Sequence, residues 1–499
     1  MSVRSASLPL PVKGINSSLP VTQIDDAEMA EGLNFWLSPE GNFESRPGLT
    51  KLTTESNTGG AIKGIYYSPA NSETLVASGT KLYKYASNGV TEIGTLSGTL
   101  TKVHMLDFNG ATYVASGGIL QSYNGTTLSD CTNTGTNDVP PAARYLQVRR
   151  DRLFVASDTE SSLYYSGSYD GGDWGGGEGA DGGIINVRKN DGANISGIVQ
   201  VDGNLAVFKA NLSNLSNPQP CSVSLLIGET PTDFVFYDIR EGTSVVEPHT
   251  ISPVLNDVVF CGNGGIFTLA QVQSFDNPRS FPISLKMRPT YRSYTPACAC
   301  YADTRGYYIV VTNGYTFAYH VGMRAWFPWS HEGITMTYVA NGGDDKVLFG
   351  SSTGHIYHLD DDGTTFSDDG TDPAWQLSTR AYDLKSPTAE KWFHKLYMTF
   401  QPLSGTGSVG VNYKKNSGET VLGSRSVSAD TSTLAGWDGT FAWDTAGVGW
   451  DDDAMLQKGH MIRLRARNMQ FQLVPTIPIR LVEWAVDYEP FRRTPLSWK

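Results

Sequence analysis

Apolar and polar residues alternate in short runs along most of this chain, the period of a half-buried strand. Three of those runs close on the same tripeptide: Val76-Ala77-Ser78, Val114-Ala115-Ser116 and Val155-Ala156-Ser157. Each is soon followed by an aromatic-rich run, at Leu82-Tyr83-Lys84-Tyr85, around Tyr123, and at Leu163-Tyr164-Tyr165. The copies stand 38 and 41 residues apart. A period near forty, filled only with strand and turn signals, is the sequence mark of a β-propeller blade.

Residues 60–363 divide into about seven such units, and six or eight blades remain compatible with the pattern. The first runs from Ile62 to Ile93 and the second from Val103 to Leu128, with turn signals at Asn109-Gly110 and Asn124-Gly125. The third spans Arg144 to Val187. The fourth leads from Ile195 through an Asp202-Gly203 turn to Phe208, and the fifth joins Val258-Val259-Phe260-Cys261 to Ile266-Phe267. Tyr307 to Phe327 form the sixth, and Lys346 to Tyr357 the seventh. Units four and five are stretched, which is why the blade number stays open. A single unit would expose an apolar face, and radial stacking buries it while leaving only short edges.

The flanks read differently. Residues 1–59 are expected to form an extended N-terminal arm and a hairpin. Ser7-Leu8-Pro9-Leu10-Pro11 and Ser18-Leu19-Pro20 are poor material for a helix or a central strand. Residues 25–30 predict one short helix capped by Asp25 or Asp26. Leu33 to Leu37, including Asn34 and Trp36, form a strand, Ser38 to Asn42 turn, and a second strand from Phe43 ends in Arg46-Pro47-Gly48. An acidic linker covers residues 364–374. Longer alternating strands over residues 375–490 predict a β-sandwich-like domain. Residues 491–499 form a basic tail carrying Arg492, Arg493 and Lys499.

Composition supports an all-β chain: 53 glycines, 24 tyrosines and 20 phenylalanines in 499 residues, with no long helical pattern. Five cysteines at irregular spacing predict reduced thiols, with Cys298 and Cys300 on one strand face. The start of the chain has no basic stretch followed by an apolar core, and no apolar run suits a membrane helix. Synthesis in a cytosol is therefore expected. A formal charge of −12 argues against tight non-specific DNA binding, yet suits a surface past which DNA must slide.

The candidate chemistry is weak. Gly350-Ser351-Ser352-Thr353-Gly354 matches a nucleophile elbow, but strands flank it on both sides, so it predicts a hairpin turn. Gly177-Glu178-Gly179-Ala180-Asp181-Gly182 matches a dinucleotide fingerprint without its strand and helix, and two carboxylates would repel a phosphate. Ser168 to Trp174 resemble a degenerate Asp box, which is itself a structural turn. His355 and His358 fall on opposite strand faces, and Asp360-Asp361-Asp362 lacks the spacing of a calcium loop. Trp-Asp pairs at Trp437, Trp443 and Trp450 are too closely spaced for propeller blades and predict a docked loop. Arg463, Arg465 and Arg467 alternate with apolar residues, predicting three arginines on one strand face: a solvated surface, a subunit contact or a basic ring facing DNA. Arg46 is expected to fix a turn through hydrogen bonds. No catalytic residue, cofactor site or metal site is expected.

The Asn34 strand, its glycine turn and the Arg46-Pro47-Gly48 ending, set just ahead of propeller repeats, resemble the tail hub and nozzle proteins of short-tailed bacteriophages. The wide loop after Ser166, with Asp173-Trp174 and then Gly182-Gly183, resembles that family too. The resemblance implies a non-enzymatic homohexameric ring in the virion tail, below the portal and adaptor, that continues the DNA channel and holds distal needle, fibre or spike proteins. Double-stranded DNA would be retained and then released through it without sequence readout. Asn34, Trp36, Arg46, Pro47, Gly48, Trp174, Arg463, Arg465 and Arg467 are the corresponding structural and assembly candidates. Two other readings stand beside it: a carbohydrate-binding propeller using exposed aromatics, and a propeller glycosidase needing paired carboxylates.

Overall fold

The structure is a computed structural model. It describes residues 3–52, 58–86, 89–132, 139–175, 181–212, 220–241, 245, 247–270, 282–330, 333–340, 346–360, 363, 365–418, 420–429 and 456–490. Trp437, Trp443, Trp450, Arg492, Arg493 and Lys499 lie outside the described residues, as do Asp361 and Asp362 and the stretch from Gly177 to Ala180.

The chain is nearly all β, arranged in many small antiparallel sheets. Seven follow one another between residues 62 and 359, each a meander of consecutive strands. Their leading strands are Ile62–Ser68, His104–Phe108, Tyr145–Arg149, Asn194–Val201, Ser252–Val254, Pro296–Ala302 and Ile334–Ala340. Each leading strand packs against the next, and the seventh packs against the first. The series thus returns on itself. At that junction the Thr335 hydroxyl donates to the Ile62 carbonyl at 2.8 Å, and the Tyr66 and Tyr338 rings lie 5.8 Å apart. The seventh sheet takes its fourth strand, Leu49–Lys51, from the beginning of the chain, paired with Ile356–Leu359. A strand from one end of the repeat series therefore completes the sheet at the other.

The three Val-Ala-Ser copies fall at the ends of the second strands of the first three sheets, with Ser116 and Ser157 just past them, and all nine residues are buried. Small side chains at that depth let neighbouring sheets approach closely. Buried polar groups then bridge the seams. Tyr66 Oη accepts from the Asp107 backbone N–H at 2.9 Å between the first and second sheets. Between the third and fourth, Arg149 donates to the Gly203 and Gly228 carbonyls, and the fully buried Lys209 donates to the Val187 and Arg188 carbonyls and to Asp191.

Two larger sheets use the C-terminal third of the chain. One orders Phe35–Leu37, Phe43–Ser45, Ile479–Pro490, Lys391–Pro402 and Leu456–Ala466, with Arg4–Leu8 also along Ile479–Pro490. The other orders Met29–Leu33, Gln376–Tyr382, Met469–Pro475, Ser408–Lys415 and Gly423–Ser428. They meet through an apolar layer in which Trp484 of the first lies 6.4 Å from the rings of Phe471 and Tyr382 of the second.

Two expectations for the N-terminal region change. The arm is extended, but it does not stand free: its strands complete both C-terminal sheets and the seventh small sheet. The short helix over residues 25–30 does not form. Asp25 Oδ1 accepts from the Ala27 N–H at 2.9 Å in a turn, and the chain then passes directly into the strand Met29–Leu33. The capping residue is used, but no helix follows it.

Candidate functional site

Asn34 has a backbone φ of +61°, a left-handed conformation that asparagine tolerates better than most residues. Its buried amide is fully used. Oδ1 accepts from Arg46 Nε at 2.9 Å and from the Ser330 N–H at 2.8 Å, while Nδ2 donates to Ser330 Oγ and the Ala374 carbonyl. Arg46 has no exposed surface. Beyond Asn34 it donates to the Pro47 and Ser330 carbonyls and grips both oxygens of Asp368. All five guanidinium N–H groups are thereby engaged.

Gly48 completes this node. Its N–H donates to the Thr365 carbonyl and its own carbonyl accepts from Asp360. A Cβ there would come within 2.2 Å of the Ser367 carbonyl oxygen. Trp36 stacks on Tyr307 at 5.7 Å and meets Trp329 edge-on at 6.5 Å. The hairpin is thus fastened to the sixth small sheet, to the segment after the seventh, and to the start of the second large sheet. It joins the two halves of the molecule.

Trp174 is fully buried with Phe108, Tyr113, Leu146, Leu153 and Val155 between the second and third sheets. Asp173 holds the loop around it, accepting from the N–H groups of Gly175, Asp181 and Gly182. This degenerate Asp box is a turn clamp. The Ser351 to Gly354 segment is a hairpin turn, with Ser351 Oγ accepting from the His355 N–H.

Ile462 and Ala466 are buried and Leu464 half-buried, while Arg463 and Arg467 are exposed and Arg465 is half-buried. Arg463 sits in a bulge, with φ +52°, where the register to Lys391–Pro402 shifts. Arg465 pairs with Glu390, and Arg467 lies beyond the strand's end.

A different cluster emerges where the leading strands begin. Lys102 and His104 come from the second sheet, and Arg144 and Tyr145 from the third. Glu247 caps and His249 lies within the short turn Pro248–Thr250 before the fifth, Cys298 is on the sixth, and Thr335 is on the seventh. Side chains from the starts of five of the seven sheets thus come together in one place. His104 Nδ1 accepts from the Leu146 N–H at 3.0 Å, which leaves the proton of the neutral ring on Nε2. The His104 and His249 rings meet edge-on at 6.3 Å. Lys102 Nζ donates to the Thr335 carbonyl, to which Cys298 Sγ also points at 3.7 Å. Arg144 pairs with Asp158. Thr250 fixes the turn by donating to the Glu247 carbonyl while its own carbonyl accepts from Tyr308.

Burial sets the protonation of this cluster. It pushes the Glu247 carboxyl up to about 7, against the opposing pull of Lys102 and Arg144. It pushes His104 down to about 4, and holds His249 well below the usual imidazole range with help from His104, Lys102 and Arg144. Burial likewise raises the Cys298 thiol to about 11. Among the described residues no group of three or more His, Cys, Asp or Glu is arranged to hold a metal ion. Sequence reasoning missed this cluster because its members are single residues at irregular intervals. Their common signal is position: each lies at or just outside a leading strand.

No protein-family model and no curated protein matches the chain. Solved structures resemble it only remotely. The extracellular domain of a putative hybrid two-component system from B. thetaiotaomicron has 10% identity and a TM-score of 0.44, covering 77% of this chain and 47% of that one. This chain therefore spans less than half the length of that extracellular domain. The computationally designed Ika8 protein has 8% identity and a TM-score of 0.38, covering 62% of this chain and 99% of that one. A gluconolactonase from Xanthomonas campestris has 7% identity and a TM-score of 0.36, covering 66% of this chain and 98% of that one. Likenesses this distant assign the chain neither a family nor an activity.

Proposed function

We propose that this chain is a structural subunit of a short-tailed phage tail, a hub or nozzle ring that continues the DNA channel below the portal and adaptor. On this reading the seven small sheets are the blades of a seven-bladed propeller closed by its N-terminal strand, and the two large sheets form a sandwich beside it. The observation that supports it is the Arg46 node: the Arg46-Pro47-Gly48 segment on which the family resemblance rests is hydrogen-bonded both to the end of the sixth small sheet and to the segment leading into the large sheets. A ring that holds packaged DNA under pressure needs subunits that do not flex internally.

The mechanism is mechanical. Six copies assemble on the connector, retain DNA before infection and let it pass on ejection, with distal tail proteins attached beneath. The N-terminal strands are consumed within the subunit, so the subunit contacts fall on the C-terminal sheets, where Trp392 and Met461 are exposed on neighbouring strands. The net charge of −12 keeps adhesion to passing DNA weak. Electron microscopy of virions, or of the protein mixed with portal and adaptor, tests this. A six-fold ring at the tail is expected, and its absence from both samples overturns the reading.

A further inference from the structure

The cluster where the leading strands begin holds several buried polar atoms with no hydrogen-bond partner. Tyr145 is only 3% exposed, yet its hydroxyl meets no partner. Arg144 Nε and His249 Nε2 are occluded from solvent and likewise unpartnered. The His104 tautomer fixed by Leu146 adds an Nε2–H donor, and Lys102 adds a cation. Leaving such groups unsatisfied costs about 1–3 kcal/mol each. A native structure therefore fills such a place with water or a ligand.

We propose that this cluster is a binding site for one small oxyanion of the carboxylate, sulfate or phosphate class, held by Lys102, Arg144, Tyr145 and His249. A cation is disfavoured there by Lys102 and Arg144, because the nearby Asp158 is already paired with Arg144. Glu247 decides when the site is open. Ionised, it would stand beside the anion and repel it; protonated, it adds a donor. The groups facing it are Lys102, Arg144, Tyr145, His249, Cys261 and Cys298. Binding thus takes up a proton on Glu247 and weakens as the pH rises past neutrality. The site is independent of the tail reading and would exist in the isolated chain.

Calorimetric titration of the full chain with sodium acetate and with sodium sulfate, against sodium chloride at matched ionic strength, tests it. Neither probe titrates between pH 6 and pH 8.5, so any pH effect belongs to the protein. Saturable one-to-one binding of at least one probe is expected at pH 6, weakened about tenfold or more at pH 8.5. The preferred probe distinguishes a planar carboxylate from a tetrahedral oxyanion. Lys102→Met should abolish binding, and Glu247→Gln should keep it while removing the pH dependence. His249→Gln serves as a second loss variant if Lys102→Met does not fold, as judged by thermal melting. A site that holds only water gives no saturable heat at pH 6, and that result overturns the proposal. Binding undiminished in a folded Lys102→Met or His249→Gln chain overturns it too.

Discussion

Arg46 and Asp368 are 322 residues apart in sequence, yet the buried guanidinium grips both carboxylate oxygens, one of them at 2.9 Å. Removing one partner of such a pair strands the other, and with it Asn34 and two carbonyls. Arg46→Met is expected to cost about 3–5 kcal/mol in urea denaturation. Arg46→Lys should recover only part of this, since an ammonium cannot reproduce the planar fork. Near-equal stability of the native, Met and Lys chains would show that the node is ornamental.

Gly48 leads directly into Leu49–Lys51, the strand that completes the seventh sheet. A Cβ at Gly48 would meet the backbone of Phe366 and Ser367, which cannot swing aside as a side chain can. Gly48→Ala is expected to cost about 1–3 kcal/mol. Amide exchange should accelerate first in residues 49–51 and 356–359. Uniform acceleration across the chain would show that the substitution acts elsewhere.

Trp174 fills the seam between the second and third sheets among Phe108, Tyr113, Leu146, Leu153 and Val155. Trp174→Ala leaves a cavity lined by large side chains that cannot collapse into it, at a cost of about 3–5 kcal/mol. Trp174→Phe should lose about half as much. The C-terminal sheets share no core with this residue, so their exchange protection should stay unchanged.

Period-two alternation carried the strands: Val76, Val114 and Val155 sit where their runs place them, and Phe35–Leu37 pairs with Phe43–Ser45 as the turn between them requires. Partner choice was hidden. Nothing around Leu49 names Leu359 as its neighbour, because local patterning records which face is apolar and not which strand lies alongside. The helix expected at residues 25–30 failed because Asp25 looks the same whether it caps a helix or closes a turn. The Arg463 bulge left no mark in the sequence, since an extra residue opposite the partner strand leaves composition and apolar spacing unchanged. Lys102, His104, Glu247 and His249 belong to one place only after the ring has closed, so no spacing rule could have joined them.

The acid–base balance of that place gives a signed prediction. Glu247 holds its proton to about pH 7 when folded, against an ordinary value of 4.5, so folding favours its protonated form. Its contribution to stability is complete below about pH 4.5 and is lost as the pH rises to 7. His104 runs the other way: its folded value of about 4 lies below the ordinary 6.5, so its contribution is present above pH 6.5 and lost as the pH falls toward 4. His249 shifts in the same direction as His104. The two effects oppose each other across mildly acidic pH, and the native chain alone would disguise both. Variants separate them. Glu247→Gln cannot ionise, so its stability relative to the native chain should grow steadily from pH 5 to 7 and level off by about pH 8. His104→Asn keeps an acceptor for the Leu146 N–H but cannot take up a proton, so its relative stability should grow as the pH falls below 6.5. Urea denaturation at half-unit pH steps reads both curves. A difference between Glu247→Gln and native chain that stays flat from pH 5 to 8 would show that Glu247 keeps its ordinary acidity. The cluster would then be open to bulk water.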